Sequence, residues 1–159
     1  EIKNEPKLAD DYSVKDIITQ QNISAITSTE DYDNNQPLLL VIDDNESMRT
    51  YLKGILHDKY NVIEAQNGEE GLKIARKTVP QLVVSDVMMP IMDGIELTKQ
   101  LKSDKSFWQL PIILLTAKNK EEDKTEAYAT GADAYITKPF KFDELEVRIN
   151  ALLATRKNI

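Results

Sequence analysis

The 159-residue chain has no cysteine, one histidine and one tryptophan. Without cysteine it can form no disulfide and offers no thiolate to zinc or an iron–sulfur cluster. A single imidazole does not make a zinc or copper site, and His57 falls at the polar end of a predicted helix, where it reads as a surface residue. No apolar run approaches the ~18 residues that cross a bilayer, and no secretion leader opens the chain. The segment is therefore expected in the cytoplasm, without membrane insertion. Lys and Arg number 20 against 27 Asp and Glu, a net charge of −7 with no basic cluster, which excludes a broad nucleic-acid surface. The five glycines form neither GxxxxGK nor GxGxxG, and no Ser-His-Asp arrangement occurs, so nucleotide cofactors and acyl-enzyme chemistry lack support.

What the chain does have is a sharp change of character near residue 37. Residues 1–36 hold eight acids and three bases and are rich in Asn, Gln, Ser and Thr, with scattered apolar residues such as Ile17, Ile18, Ile23 and Ile26. This reads as an acidic, largely disordered linker with one short helix near residues 13–21. Asn22-Ile23-Ser24 matches a glycosylation sequon, which means nothing without secretion. From Pro37 the pattern alternates. Apolar runs at Leu38–Ile42, Tyr60–Ala65, Leu82–Val87, Ile112–Thr116 and Ala134–Thr137 read as strands, the continuous ones as strands covered on both faces. Between them lie helical periodicities: Met48, Tyr51, Leu52, Ile55 and Leu56 behind a capping Asn45; Leu72, Ile74 and Ala75 after Asn67-Gly68; Leu97 and Leu101 after Asp93-Gly94; a polar helix over 121–130 ending at Gly131; and Leu145, Ile149, Leu152 and Leu153. Five strands alternating with five helices imply right-handed crossovers and a doubly wound parallel sheet.

In such a sheet ligands sit beyond the carboxyl ends of the strands. Each of four predicted strands ends there in a chemically useful group: Asp43-Asp44, Asp86, Thr116 and Lys138. A carboxylate that closes a buried strand is costly unless something binds it. Two unit charges ~4 Å apart at an effective dielectric of ~20 repel by about 4 kcal/mol, so the three acids need protons or a cation. An all-oxygen donor set suits a hard ion, and Mg²⁺ takes a few carboxylates and keeps waters for a phosphate. A hydroxyl and an ammonium on the far side would cradle phosphoryl oxygens. The chemistry this supports is phosphoryl transfer to a carboxylate.

The same residues, Asp43-Asp44, Ser85-Asp86 with Met88-Met89-Pro90 and Asp93-Gly94, Thr116-Ala117, and Gly131-Ala132-Asp133 leading to Lys138-Pro139-Phe140, closely resemble the receiver domain of two-component response regulators. The resemblance runs from residue 38 to about 155, giving a CheY-like receiver over 37–157. It implies the strand order 2-1-3-4-5. It further implies that Asp86 accepts a phosphoryl group from the phosphohistidine of a sensor kinase or phosphotransfer protein. Asp44, Asp86 and the Met88 backbone carbonyl would hold Mg²⁺, with Asp43 assisting through water. Lys138, beside a cis Lys138-Pro139 bond, would neutralise a phosphoryl oxygen. Thr116 would move towards the phosphoryl group and Tyr135 would follow it inward. Met88 and Lys118 would flank the path of hydrolytic water, and Met88, unable to orient it, implies slow loss of the phosphoryl group. Trp108, Met89 and Met92 read as packing and loop residues.

On this reading the segment is no stand-alone enzyme beyond catalysing its own phosphorylation and dephosphorylation. Its switching face is the fourth helix, fifth strand and last helix, open to an output domain in cis or trans or to a second copy as a homodimer. The acidic leader and a first residue other than Met imply a receiver cut from a hybrid sensor kinase. The alternatives are a free-standing regulator, a phosphatase of the aspartyl-phosphate type, and a pseudo-receiver that only binds proteins. Phosphatases of that type carry Asp-x-Asp after the first strand, and Asn45 stands where the second acid would be. A pseudo-receiver would lack the acceptor or the lysine.

Overall fold

The computed structural model describes residues 33, 35–117, 129 and 131–157. Five strands, β1 (Leu38–Ile42), β2 (Asn61–Ala65), β3 (Leu82–Asp86), β4 (Ile112–Thr116) and β5 (Ala134–Thr137), form one sheet in the order β2-β1-β3-β4-β5. All four neighbour pairs are parallel. Four helices occur among the described residues: α1 (Glu46–Leu56), α2 (Gly68–Thr78), α3 (Gly94–Lys102) and α4 (Phe142–Lys157). Apart from Ala129, the helix expected over 121–130 lies outside the described residues, as does the tail before residue 33.

The apolar runs are continuous because the sheet is covered on both sides. Leu40, Ile42, Ile63, Val83, Ile112 and Leu114 pack with Leu72, Ile74, Leu97 and Leu101 of α2 and α3. The alternate residues, Leu39, Val41, Leu82, Val84, Ile113 and Leu115, pack with Leu52 and Leu56 of α1 and Leu145 and Ile149 of α4. Met89 and Met92 lean on the first of these clusters, whereas Trp108 is exposed. The three helices after β1, β2 and β3 each start on a short polar cap: Asn45, Asn67 and Asp93 accept from the N–H of Met48, Glu70 and Glu96. Each cap satisfies one backbone donor that the first helical turn leaves open.

Two strand ends differ from the sequence expectation by a residue. Tyr60 precedes β2 because its N–H still bonds to the Leu56 carbonyl at the end of α1, while its buried hydroxyl reaches Asn150 at 2.6 Å. Val87 donates to Leu115 as a strand residue would, but its carbonyl accepts from Gly94, which turns the chain away. At the other end of the sheet the buried Asn61 side chain accepts from the Asp33 N–H at 3.1 Å. It donates to the Asp33 and Gln36 carbonyls at 2.7 and 3.2 Å. The chain before β1 is thereby pinned to the edge strand.

Helix α2 ends at Val79 with φ of 50°, and the residue is exposed. A β-branched side chain in the left-handed region is strained, and glycine is the usual residue there. Val79→Gly is expected to raise stability by about 1 kcal/mol. Urea unfolding checks this, and a lowered midpoint would contradict it.

Candidate functional site

Four crossovers bring the polar strand ends together at the carboxyl edge. Asp43 follows β1 and is fully buried, Asp44 beside it is exposed, and Asp86 closes β3 almost buried. Thr116 closes β4 and is buried, and Lys138 follows β5 with its N–H on the Thr116 carbonyl at 2.6 Å. The Lys138-Pro139 bond is cis. The Lys138 ammonium lies 3.1 Å from Asp86 Oδ1 and 3.4 Å from Asp43 Oδ2. Asp43 Oδ1 accepts from the Asn45 N–H at 2.9 Å, so both of its carboxylate oxygens are engaged.

Asp43, Asp44 and Asp86 each offer an oxygen within 4.8 Å of the others. Against three acids the described contacts supply one ammonium. Burial, and then the charge of Asp43, push the Asp86 carboxyl above the usual carboxylate range, and Lys138 pulls it only part of the way back. The pocket thus holds an excess of mutually repelling oxygen donors of the hard kind that a divalent cation neutralises. The residues fit Mg²⁺.

The loop after Asp86 is held from two sides. Gly94 donates to the Val87 carbonyl and Gly68, at the start of α2, donates to the Met92 carbonyl, both at 2.9 Å. Between these ties Met88 and Ile91 stand exposed on the rim, Ile91 with φ of 71°. A Cβ built on Gly94 would lie 2.3 Å from the Asp86 carbonyl oxygen, so only glycine fits. Tyr135 pairs in register with Leu114, two residues before Thr116, and packs with the α2 and α3 side of the core. Side chains alternate along a strand, which puts Thr116 and Tyr135 on one face of the sheet. Lys118 lies outside the described residues, and His57 is exposed.

One contributor went unassigned in the sequence reading. Arg49, one turn into α1, donates from Nη1 to the Asp43 carbonyl at 2.7 Å and from Nε to Glu64 at 3.2 Å. A charged residue directly after Val62-Ile63 in β2 was the available signal for Glu64. Arg49 itself, on a helix with other charges, carried none.

The doubly wound sheet with an acidic pocket at its carboxyl edge defines a class, and comparison with known proteins names it. Residues 39–150 match the response regulator receiver domain family. Histidine kinase P4 of Formosa agariphila is 35% identical over 150 residues, covering 94% of this chain and 10% of that protein. The alkaline phosphatase synthesis transcriptional regulatory protein PhoP of Bacillus subtilis is 47% identical over 116 residues, covering 72% of this chain and 48% of that one. The crystal structure of the signal receiver domain of a signal transduction histidine kinase from Syntrophus aciditrophicus superimposes with a TM-score of 0.73 at 34% identity. That match covers 77% of this chain and 94% of that chain. The chain spans about a tenth of the kinase relative and about half of the regulator. It belongs to the response regulator receiver domain family, the phosphoacceptor modules of two-component systems, whose members work with histidine kinases or phosphotransfer proteins and with output domains.

Proposed function

We propose that Asp86 accepts the phosphoryl group in a two-component phosphorelay. The observation that carries this is the convergence of three carboxylates within 4.8 Å of one another, two of them touched by Lys138. A carboxylate oxygen of Asp86 attacks the phosphorus of a phosphohistidine, the P–N bond breaks, and its electron pair returns to the imidazole. Asp44, Asp86 and the Met88 carbonyl would hold Mg²⁺, with Asp43 behind them; the ion supplies charge neutralisation for the phosphoryl oxygens. Lys138 stabilises a further oxygen as charge develops on it. Thr116 then hydrogen-bonds the phosphoryl group and Tyr135, on the same sheet face, moves inward behind it, altering the surface around β5 and α4. That surface, with the helix expected over 121–130, is the proposed contact for an output domain or a second copy.

The experiment is incubation with Mg²⁺ and acetyl phosphate followed by intact mass. Gain of one phosphoryl group, absent when Mg²⁺ is chelated, is expected; a wild-type protein that gains none rejects the proposal. Met88, two residues past the acceptor and exposed, has no polar group with which to orient a water. Met88→Asn is therefore expected to speed loss of the phosphoryl group several-fold once acetyl phosphate is removed. An unchanged decay rate would contradict that role.

The proposed setting is a hybrid sensor kinase acting in the cytoplasm, with the receiver beginning near residue 37 and an acidic linker before it. Its support is that the kinase match extends over 94% of this chain whereas the PhoP match stops at 72%. The higher identity to PhoP, 47%, favours a second setting, a free-standing regulator. The sequence on either side of this segment distinguishes them.

A further inference from the structure

We propose that Arg49 is a positioning residue for the cation site, acting through the main chain of Asp43, with Glu64 as its counter-charge; this rests on the reading of Asp43, Asp44 and Asp86 as divalent-cation ligands. The Arg49 side chain is nearly buried, 13% exposed, and its guanidinium is shared between two acceptors, one just after β1 and one on β2. Nη1 meets the Asp43 carbonyl at 2.7 Å and Nε meets Glu64 Oε1 on β2 at 3.2 Å. The peptide unit so held is the one that joins Asp43 to Asp44. Asp43 is fixed at three more points: its N–H on Ala65, Oδ1 under the Asn45 N–H, and Oδ2 facing Lys138. Arg49 is the contact that acts on the carbonyl side, where the chain turns towards Asp44.

The sign of the effect separates this role from a purely electrostatic one. A guanidinium behind an acidic pocket repels a divalent cation, so as a charge alone Arg49 would weaken Mg²⁺ binding. As an orienting group it strengthens binding, because outer-layer partners that fix ligands typically contribute 10- to 100-fold in metal affinity. Lys53 provides the control. It lies on the same helix and reaches the same Glu64, at 3.7 Å, but is half exposed, and its described ion pair is with Glu64.

The test is Mg²⁺ titration by calorimetry on the whole chain, for wild type, Arg49→Met and Lys53→Met. Methionine keeps an apolar stem of similar length without donors. Arg49→Met is expected to weaken Mg²⁺ binding about 10-fold. Its acetyl phosphate labelling rate should need correspondingly more Mg²⁺ for half-saturation and reach a plateau close to that of wild type. Lys53→Met should bind Mg²⁺ as wild type does or more tightly. Unchanged or tighter binding in Arg49→Met overturns the proposal, as does an equal loss in Lys53→Met, whose described contact is with Glu64 and not with the Asp43 carbonyl, because the loss would then not come from the hold on that carbonyl. If Arg49→Met does not fold, Arg49→Gln, too short to span both acceptors, is read by the same criteria. A wild-type protein that binds no Mg²⁺ would instead overturn the site reading itself.

Discussion

Asp86→Asn is expected to take up no phosphoryl group from acetyl phosphate while becoming more stable than the wild type in the absence of Mg²⁺. The first part follows from chemistry: an amide oxygen is no nucleophile towards phosphorus under conditions where a carboxylate is. The second follows from electrostatics. Burial and the neighbouring Asp43 raise the Asp86 carboxyl in the folded state, and these outweigh the opposing pull of Lys138. A folded state that holds its proton more tightly than the unfolded chain loses stability as pH rises, from the ordinary carboxylate value up to the raised one. Above the raised value the full penalty is present, and the neutral amide removes it. The gain should be about 1 kcal/mol, limited by solvent screening at a partly open pocket, and should vanish near pH 3 where both side chains are uncharged. Added Mg²⁺ should narrow the gap by binding the wild type more tightly. Thermal unfolding across pH, with chelator and with Mg²⁺, measures all of this. Labelling of Asp86→Asn equal to wild type would remove Asp86 as acceptor, and a less stable variant at pH 7 would remove the electrostatic account.

The second large effect is steric. Gly94→Ala places a methyl group 2.3 Å from the Asp86 carbonyl oxygen and 3.1 Å from the Val87 Cα. Both obstacles are backbone and belong to the strand end that carries the acceptor, so neither can swing aside as a flexible side chain could. The substitution should cost about 2–4 kcal/mol, and phosphoryl uptake by the folded fraction should also slow, because any relaxation moves the Asp86–Val87 peptide. Gly54, inside α1 with nothing within 4 Å of a built Cβ, is the counterpart. There the same Gly→Ala change should stabilise by up to about 1 kcal/mol, the helix-propensity difference. Chemical denaturation of the two variants side by side decides the matter; if Gly94→Ala is as stable as wild type, the close approach does not constrain the loop.

Much of this molecule was legible in its sequence because the central parallel strands, buried on both faces, stay apolar until their carboxyl ends. Asp86 therefore stood out at the close of Leu82-Val83-Val84-Ser85, and Asp43 and Thr116 did so for the same reason. The cap residues Asn45, Asn67 and Asp93 were readable too, since their hydrogen bonds are local. What could not be read depends on contacts between distant segments. The Arg49 bond to Asp43 needs the angle at which α1 returns over β1. The Tyr60 hydroxyl needs Asn150 from the far end of the chain. The requirement for glycine at 94 arises from a carbonyl eight residues earlier, and no periodicity encodes that approach.

The clasp made by Asn61 governs how this domain can be grafted. A chimera joined at residue 37 keeps every strand but replaces the main-chain N–H of Asp33 and the carbonyls of Asp33 and Gln36 that occupy the Asn61 carboxamide, and an incoming chain that turns differently leaves it unpaired. A buried amide stripped of its partners costs about 1–3 kcal/mol, and the loss would fall on the edge strand that also carries Glu64. A fusion made upstream of Asp33 carries its own fastening with it. The incoming polypeptide is then anchored at the amino-terminal rim of the sheet, at the opposite pole from the acidic pocket, so that a bulky neighbour attached there leaves the approach to Asp86 open.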